Sequence, residues 1–175
     1  MREYEFTLRF TLPWAGLASD ELVERLGDAG CDDALIGVGH AGRIALEFAR
    51  SAVSARVAVL SAIRDVRTAV PEAQLIEVTP DIVGLTDVAE IVGCSRQNMR
   101  KLLIARGATV PAPLHEGTCS LWHLAPVLRW LVGEKRYAVA KELLELSEVA
   151  MSINVALDAL GTDAGTREEL RAFLA

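Results

Sequence analysis

Residues 94–106 carry four basic side chains, Arg96, Arg100, Lys101 and Arg106, and no acidic one. Gln97 and Asn98 lie between them, and Ser95 opens the run. Together these types suit one chemistry. Arg reaches guanine O6 and N7 with two hydrogen bonds, and Gln or Asn does the same with adenine N6 and N7. Lys and Arg also neutralise phosphates, which fixes register without reading sequence. The spacing predicts a helix from a Ser95 cap to about Ala105, with Met99, Leu102 and Leu103 on its apolar side and Gly107 as its stop. Arg96, Gln97 and Asn98 then sit in the first turn, facing base edges. Arg100, Lys101 and Arg106 would hold phosphates, and the helix start at Ser95 offers free backbone N–H groups to another. An ordinary solvated helix face would use the same residue types, so the neighbouring elements decide.

The preceding stretch, Leu85-Thr86-Asp87-Val88-Ala89-Glu90-Ile91-Val92, predicts a short helix capped by Thr86, with Val88, Ala89, Ile91 and Val92 inward and Gly93-Cys94 as a tight turn. Downstream, Val110-Pro111-Ala112-Pro113-Leu114-His115-Glu116-Gly117-Thr118-Cys119-Ser120-Leu121-Trp122-His123 predicts a hairpin around Gly117, backed by a helix through Val127, Trp130 and Leu131. Helix, glycine turn, cationic helix and hairpin in this order resemble the winged helix-turn-helix of the MerR and excisionase (AlpA-like) families. The resemblance rests on Leu85-Thr86, on Gly93-Cys94-Ser95-Arg96-Gln97-Asn98, on Pro111 and Pro113, on Trp122 and on Val127, Trp130 and Leu131. It implies a second helix in the major groove of double-stranded DNA and a wing on backbone or minor groove. The expected contact set is Thr86, Ser95, Arg96, Gln97, Asn98, Arg100, Lys101, Arg106 and His115. Family wings are often Arg-rich, whereas this one holds Glu116 with neutral His115 and His123, so affinity should lean on the helix. Trp122 and Trp130 read as core, and His115 and His123 as surface.

The first 80 residues predict strand, helix, strand, strand, helix, strand. Tyr4, Phe6, Leu8, Phe10 and Leu12 alternate with polar residues, which gives a strand with one buried face that Pro13 ends. A helix over 20–29, capped by Ser19 and stopped by Gly30, places Leu22, Val23 and Leu26 on one face. Ala34, Ile36 and Val38, then Ile44, Leu46 and Phe48, mark two strands. Ser51 is expected to start a longer helix with Val53, Val57, Leu60, Ile63 and Val70 inward, closed by Pro71, and residues 75–79 form a fourth strand. This order resembles the ferredoxin-like split βαβ plan, with two helices on one face of an antiparallel sheet. Such a domain can sense, dimerise or serve as scaffold. Gly37-Val38-Gly39-His40-Ala41-Gly42 matches G-x-G-x-x-G, yet a dinucleotide site needs a helix next, and Arg43 to Phe48 alternate like a strand. A hairpin turn suits these glycines better.

From about Tyr137, the residues Val139, Leu143, Leu146, Ala150, Ile153, Leu157 and Leu160 step by 4 and 3, a heptad seam on a helix of about 23 residues. Two readings stay open: the seam pairs two subunits, as the resemblance implies, or it packs on the chain's own N-terminal domain. Gly161 ends the helix, and Thr166-Arg167-Glu168-Glu169 fits a capping box for a last helix bearing Leu170, Phe173 and Leu174.

The chain has 175 residues and net charge −6. That charge splits into −4 over 1–80, +2 over 81–136 and −4 over 137–175, so only the middle can serve as a phosphate footprint. Cys31, Cys94 and Cys119 have no metal or disulfide spacing, which fits a reducing cytoplasm. No apolar run is long enough to span a bilayer, and Met1-Arg2-Glu3-Tyr4-Glu5 has no secretory h-region. The expectation is an α+β protein: a ferredoxin-like βαββαβ domain over 1–80, a winged helix-turn-helix over 81–135 and a C-terminal dimerisation helix over 136–175. Its expected activity is sequence-specific DNA binding as a homodimeric transcription regulator. The alternative is an antitoxin-like or defence-system adaptor whose acidic ends bind a protein partner, with autoregulatory DNA binding. No catalytic set, metal site or cofactor is expected.

Overall fold

The structure is a computed structural model that describes residues 1–12, 19–38, 42–104, 109–134 and 137–174. Four strands, β1 (Arg2–Thr11), β2 (Ala34–Val38), β3 (Arg43–Ala52) and β4 (Gln74–Thr79), form an antiparallel sheet in the order β2-β3-β1-β4. Helices α1 (Ser19–Asp28) and α2 (Ala55–Ala69) follow β1 and β3. Alternation explains the layering. Tyr4, Phe6, Leu8 and Phe10 of β1 and Ile44, Leu46 and Phe48 of β3 all turn to one buried face, with Phe6 opposite Phe48 and Leu8 opposite Leu46. The Phe6 and Phe48 rings stack with centroids 5.2 Å apart. Leu22 and Leu26 of α1 join this core, whereas Val23 stays outside.

The expected start of α2 at Ser51 is corrected. β3 continues through Ala52, and Ser54 is the cap, its hydroxyl accepting from Val57 N–H at 3.3 Å. The inward face is therefore Ala55, Ala58, Val59, Ala62, Val66 and Ala69, and the expected Val53, Val57 and Leu60 are exposed. Small residues let α2 approach the sheet closely, which the larger side chains would prevent. Arg50 ties this end together: it bonds Asp33 at 2.7 and 2.8 Å, Asp65 at 2.6 Å, Ser61 at 3.0 Å and the Gly30 carbonyl at 2.7 Å. These hydrogen bonds, chiefly those donated to Asp33, outweigh burial and raise its pKa. Burial pushes the nearby Cys31 thiol up to about 11, so it is protonated at neutral pH. The glycine motif lies between strands β2 and β3, not before a helix, and Gly42 has φ +82°; residues 39–41 are outside the described set.

A second core gathers Val83, Val88, Ala89, Met99, Leu103, Trp122, Leu124, Val127, Leu128, Trp130 and Leu131. It is built by β5 (Ile82–Val83), α3 (Leu85–Ile91), α4 (Arg96–Leu103), β6 (Trp122–His123) and α5 (Leu124–Glu134). The expected hairpin is shorter than its sequence suggested. His115 and Leu121 make a single bridge, and Trp122–His123 pairs with Ile82–Val83 instead.

Helix α6 (Lys141–Gly161) spans both cores. Leu146 and Ala150 are buried against the sheet core, with Ile153 packed beside them, while Val139, Leu143 and Leu144 pack on the second core. Of the expected pairing seam, the chain itself thus covers Val139, Leu143, Leu146, Ala150 and Ile153. Leu157 is half-buried and Leu160 is exposed, and Val139 precedes the helix, whose cap is Ala140. Glu145 of α6 accepts from Ala55 N–H and Tyr4 OH, both at 3.0 Å, and pairs with Arg2 at 2.9 Å. Partial burial pushes its carboxyl up, but these donors prevail and hold it below its usual value. The last helix, α7 (Ala164–Leu174), is capped by Asp163, which accepts from Thr166 N–H at 2.9 Å, so Thr166 is not the cap expected. Leu170 and Phe173 of α7 are exposed. Among the described residues no helix is long and apolar enough to cross a membrane.

Candidate nucleic-acid interface

Helix α3 begins after Gly84, whose N–H donates to the Asp87 carboxylate at 2.7 Å. Asp87 therefore serves this helix start, and Thr86 is an exposed residue inside the first turn, not the expected cap. The turn out of α3 needs glycine: Gly93 has φ +67°, a left-handed conformation that side chains disfavour. Gly93 N–H donates to Glu90 C=O at 3.2 Å and Cys94 N–H to Ala89 C=O at 2.9 Å, the paired bonds of a Schellman closure. Ser95 then caps α4 as expected, its hydroxyl accepting from Asn98 N–H at 3.2 Å. The helix ends at Leu103, two residues before the expected Ala105. Gly107 and the expected phosphate ligand Arg106 lie outside the described residues.

Met99 and Leu103 anchor α4, at 0% and 5% exposure. Their burial fixes the rotation of the helix, and Ser95, Arg96, Gln97, Asn98, Arg100 and Lys101 are all exposed. Positions four apart share a face, so Arg96 stands with Arg100 and Gln97 with Lys101. The Arg96–Arg100 row borders a cleft of about 480 Å³, shared with Gly84, Leu85, Thr86, Asp87, Ile104 and the Gly117–Ser120 turn. Thr86 and both arginines thus converge on one cleft beside the Gly117–Ser120 turn. No described carboxylate lies within ion-pair distance of Arg96, Arg100 or Lys101, and the Asp87 carboxylate that shares the cleft accepts from Gly84 N–H. Unmatched cations in an acidic protein leave positive potential where an anion can meet it.

Asn98 departs from the free base reader expected from the sequence. Its amide donates to Tyr137 OH at 3.1 Å, which restrains it and leaves Arg96 and Gln97 as the unrestrained pair in the first turn. At the bridge to Leu121, His115 is exposed but folded over the turn, for a Cβ built on Gly117 would meet its Nε2 at 2.6 Å. A side chain there would displace the imidazole. Trp122 and Trp130 are core, at 2% and 6% exposure, and Trp122 Nε1 donates to Pro111 C=O at 3.2 Å.

His123 corrects the surface reading. Its Nδ1 lies 2.8 Å from Asp81 Oδ1, and the Asp81 side chain is fully buried. The other Asp81 oxygen accepts from Asn154 Nδ2 at 2.8 Å, and Leu124 N–H donates to Asp81 C=O at 2.6 Å. Asn154 also bonds Val78 N–H at 2.9 Å and Val78 C=O at 2.8 Å. One polar cluster thereby joins the β4 edge, α6, β6 and the start of α5. Sequence reasoning missed it because its members lie tens of residues apart and Ile82–Val83 is too short to register as a strand. A polar Asn at 154, directly beside the seam residue Ile153, was the available sign.

A groove of about 650 Å³ on the outer sheet face, bordered by Glu5, Thr7, Asp32, Leu35, Glu47 and Pro80, brings no His or Cys beside its carboxylates among the described residues. No protein-family model, no curated protein and no solved structure matches the chain.

Proposed function

We propose that this chain is a sequence-specific double-stranded DNA-binding protein, a homodimeric transcription regulator that lays α4 in the major groove. In this reading residues 81–135 are a winged helix-turn-helix of the MerR and excisionase kind, and residues 1–80 are a ferredoxin-like domain that senses, dimerises or recruits. The observation that carries it is the exposed row Arg96, Gln97, Arg100 and Lys101, its cations without a described carboxylate, on a helix whose rotation Met99 and Leu103 fix. Arg96 and Gln97 read base edges; Arg100 and Lys101, with Thr86 and Ser95, hold phosphates. The three thiols are free, which suits a reducing cytoplasm. Selection of bound fragments from a genomic pool tests the proposal. Enrichment of one two-fold symmetric motif supports it, and recovery of random fragments with salt-sensitive affinity defeats the sequence-specific part.

A second reading is favoured by a separate observation. Leu160, Leu170 and Phe173 are 78%, 51% and 82% exposed on an acidic C-terminal segment. Apolar side chains in that number suit a protein partner, as an adaptor or antitoxin-like protein would have. A purified chain that ignores duplex DNA but forms a stoichiometric complex with one partner protein through these residues decides for this reading.

A further inference from the structure

The sheet has two edges, and the chain treats them differently. At β4 the helix α6 covers the strand, and Asn154 occupies both the N–H and the C=O of Val78. At the other end β2 has no neighbour beyond it among the described strands. Its residues, Ala34-Leu35-Ile36-Gly37-Val38, include no charge and no proline, and no bulge interrupts their pairing with β3. Edge strands normally carry one of these devices, because a bare edge is a template for another strand.

The backbone direction follows from one bond. Ala49 N–H donates to Asp33 C=O at 3.1 Å, so alternation turns the polar groups of Asp33, Leu35 and Gly37 towards β3 and those of Ala34, Ile36 and Val38 towards the free edge. Ala34 N–H is already used by Cys31 C=O. The N–H and C=O of Ile36, the N–H of Val38 and the C=O of Ala34 remain directed outward.

The geometry points to a second copy of this chain as the occupant, with β2 antiparallel to β2 across a two-fold axis at Ile36. Ile36 exchanges both bonds with its equivalent, and Val38 N–H donates to Ala34 C=O on each side. Two features select a copy of the same chain. The first is shape. This register sets Leu35, 75% exposed on the outer face, opposite Gly37 of the other copy. They form a non-hydrogen-bonded pair, in which side chains approach most closely, so the large residue meets an empty position. The second is charge. Exposed Asp32 precedes β2, and Arg43 opens β3 beside the far end of β2. Antiparallel pairing therefore brings Asp32 of one copy to the end at which Arg43 of the other lies one strand further in, about 10 Å away. The joined sheet would run β4-β1-β3-β2-β2-β3-β1-β4. Neighbouring strands are about 4.8 Å apart, which separates the two β4 strands by about 34 Å. The DNA-facing modules continue beyond β4, so their half-sites fall more than one helical turn apart.

The inference rests on the dimer of the proposed function but not on its DNA binding, and it is tested without DNA. Sedimentation velocity of the full chain over a micromolar range reads the assembly. A Cβ at Gly37 meets only Ala45 C=O at 3.7 Å, and Leu35 is exposed, so Leu35→Lys and Gly37→Glu are tolerated by the monomer. Each variant should raise the dimer dissociation constant about a hundredfold by placing like charges diagonally across the seam, with far-UV spectrum and melting temperature unchanged. An equimolar mixture of the two should recover the dimer, since the ammonium introduced at position 35 then faces the carboxylate introduced at position 37. With an added disulfide as oxidant, which takes up the two electrons and two protons of the paired thiols, an equimolar mixture of Leu35→Cys and Gly37→Cys chains should form a 35–37 cross-linked heterodimer that the wild type, with no thiol at either position, cannot form. A monomeric wild type, variants that stay dimeric, or a mixture that does not recover overturns the inference. A dimer dissolved by Phe173→Glu alone places the interface on α7 and overturns it equally. Failure of a confirmed β2 dimer to bind DNA counts against the proposed function only.

Discussion

Replacing Asn154 with Ala should cost more than a surface polar change would suggest. The residue is 8% exposed, and its amide makes hydrogen bonds to Val78 N–H, to Val78 C=O and to the buried Asp81 carboxylate. A neutral bond contributes about 1 kcal/mol net, and one to a charged group about 1.5–3 kcal/mol. Removing all three therefore costs about 3–5 kcal/mol, before counting the Asp81 oxygen left without that donor in the interior. Against a typical stability of about 5–15 kcal/mol this is a large share. At about 2–4 °C per kcal/mol for a chain of this size, the melting temperature should fall by roughly 6–20 °C. The cluster also joins two hydrophobic cores that α6 spans. The wild type should accordingly melt in one transition, and Asn154→Ala should split it into two, one for the sheet core and one for the second core. Calorimetry with urea titration reads both effects. A loss under about 1 kcal/mol, or two transitions already in the wild type, would refute the claim that this cluster couples the cores.

Three other outcomes follow from the same contacts. Lys101→Ala should lower DNA affinity evenly across sequences and reduce the slope of log K against log salt by about 0.9 per module, because one phosphate contact is lost; an unchanged slope assigns Lys101 no phosphate. Glu145→Gln should destabilise the chain at neutral pH. The native Glu145 carboxyl is held below its ordinary value, so its contribution is full above that value and disappears as pH falls through the lower native one. The gap between variant and wild type should therefore narrow in acid, and a gap that widens there contradicts the assignment. Tyr137→Phe removes the acceptor for the Asn98 amide and should change base preference at one position of the bound motif while leaving the salt slope alone. An unaltered motif means that Asn98 does not read bases.

The sequence was most informative where one residue's surroundings are local. Alternation located β1 and β3, and the glycine at 93 with its Ser95 cap located the turn into α4, because these features depend on neighbours within a few positions. It misled where small residues competed with large ones. A stripe through Val53, Val57 and Leu60 looks like the inward face of α2, but close packing on the sheet favours Ala55, Ala58 and Ala62, one step round the helix. The heptad on α6 had the same ambiguity. A 3.5-residue repeat specifies an apolar surface and not the identity of what covers it, and here Leu146 and Ala150 meet the chain's own sheet. Beyond the polar Asn154 beside Ile153, nothing in the sequence pointed to the Asp81, His123 and Asn154 cluster or to the Tyr137 hydroxyl on Asn98, because their bonds depend on tertiary contact.

The central claim is that α4 reads DNA through its first turn, and the Arg96→Ala, Gln97→Ala double variant tests it most directly. Wild type and variant would each be offered the same pool of duplexes, with binding measured at fixed salt. The account predicts that the wild type enriches one motif, and that the variant binds all duplexes alike with its fold and oligomeric state intact. Enrichment of the same motif by the variant, or of none by the wild type, would contradict it.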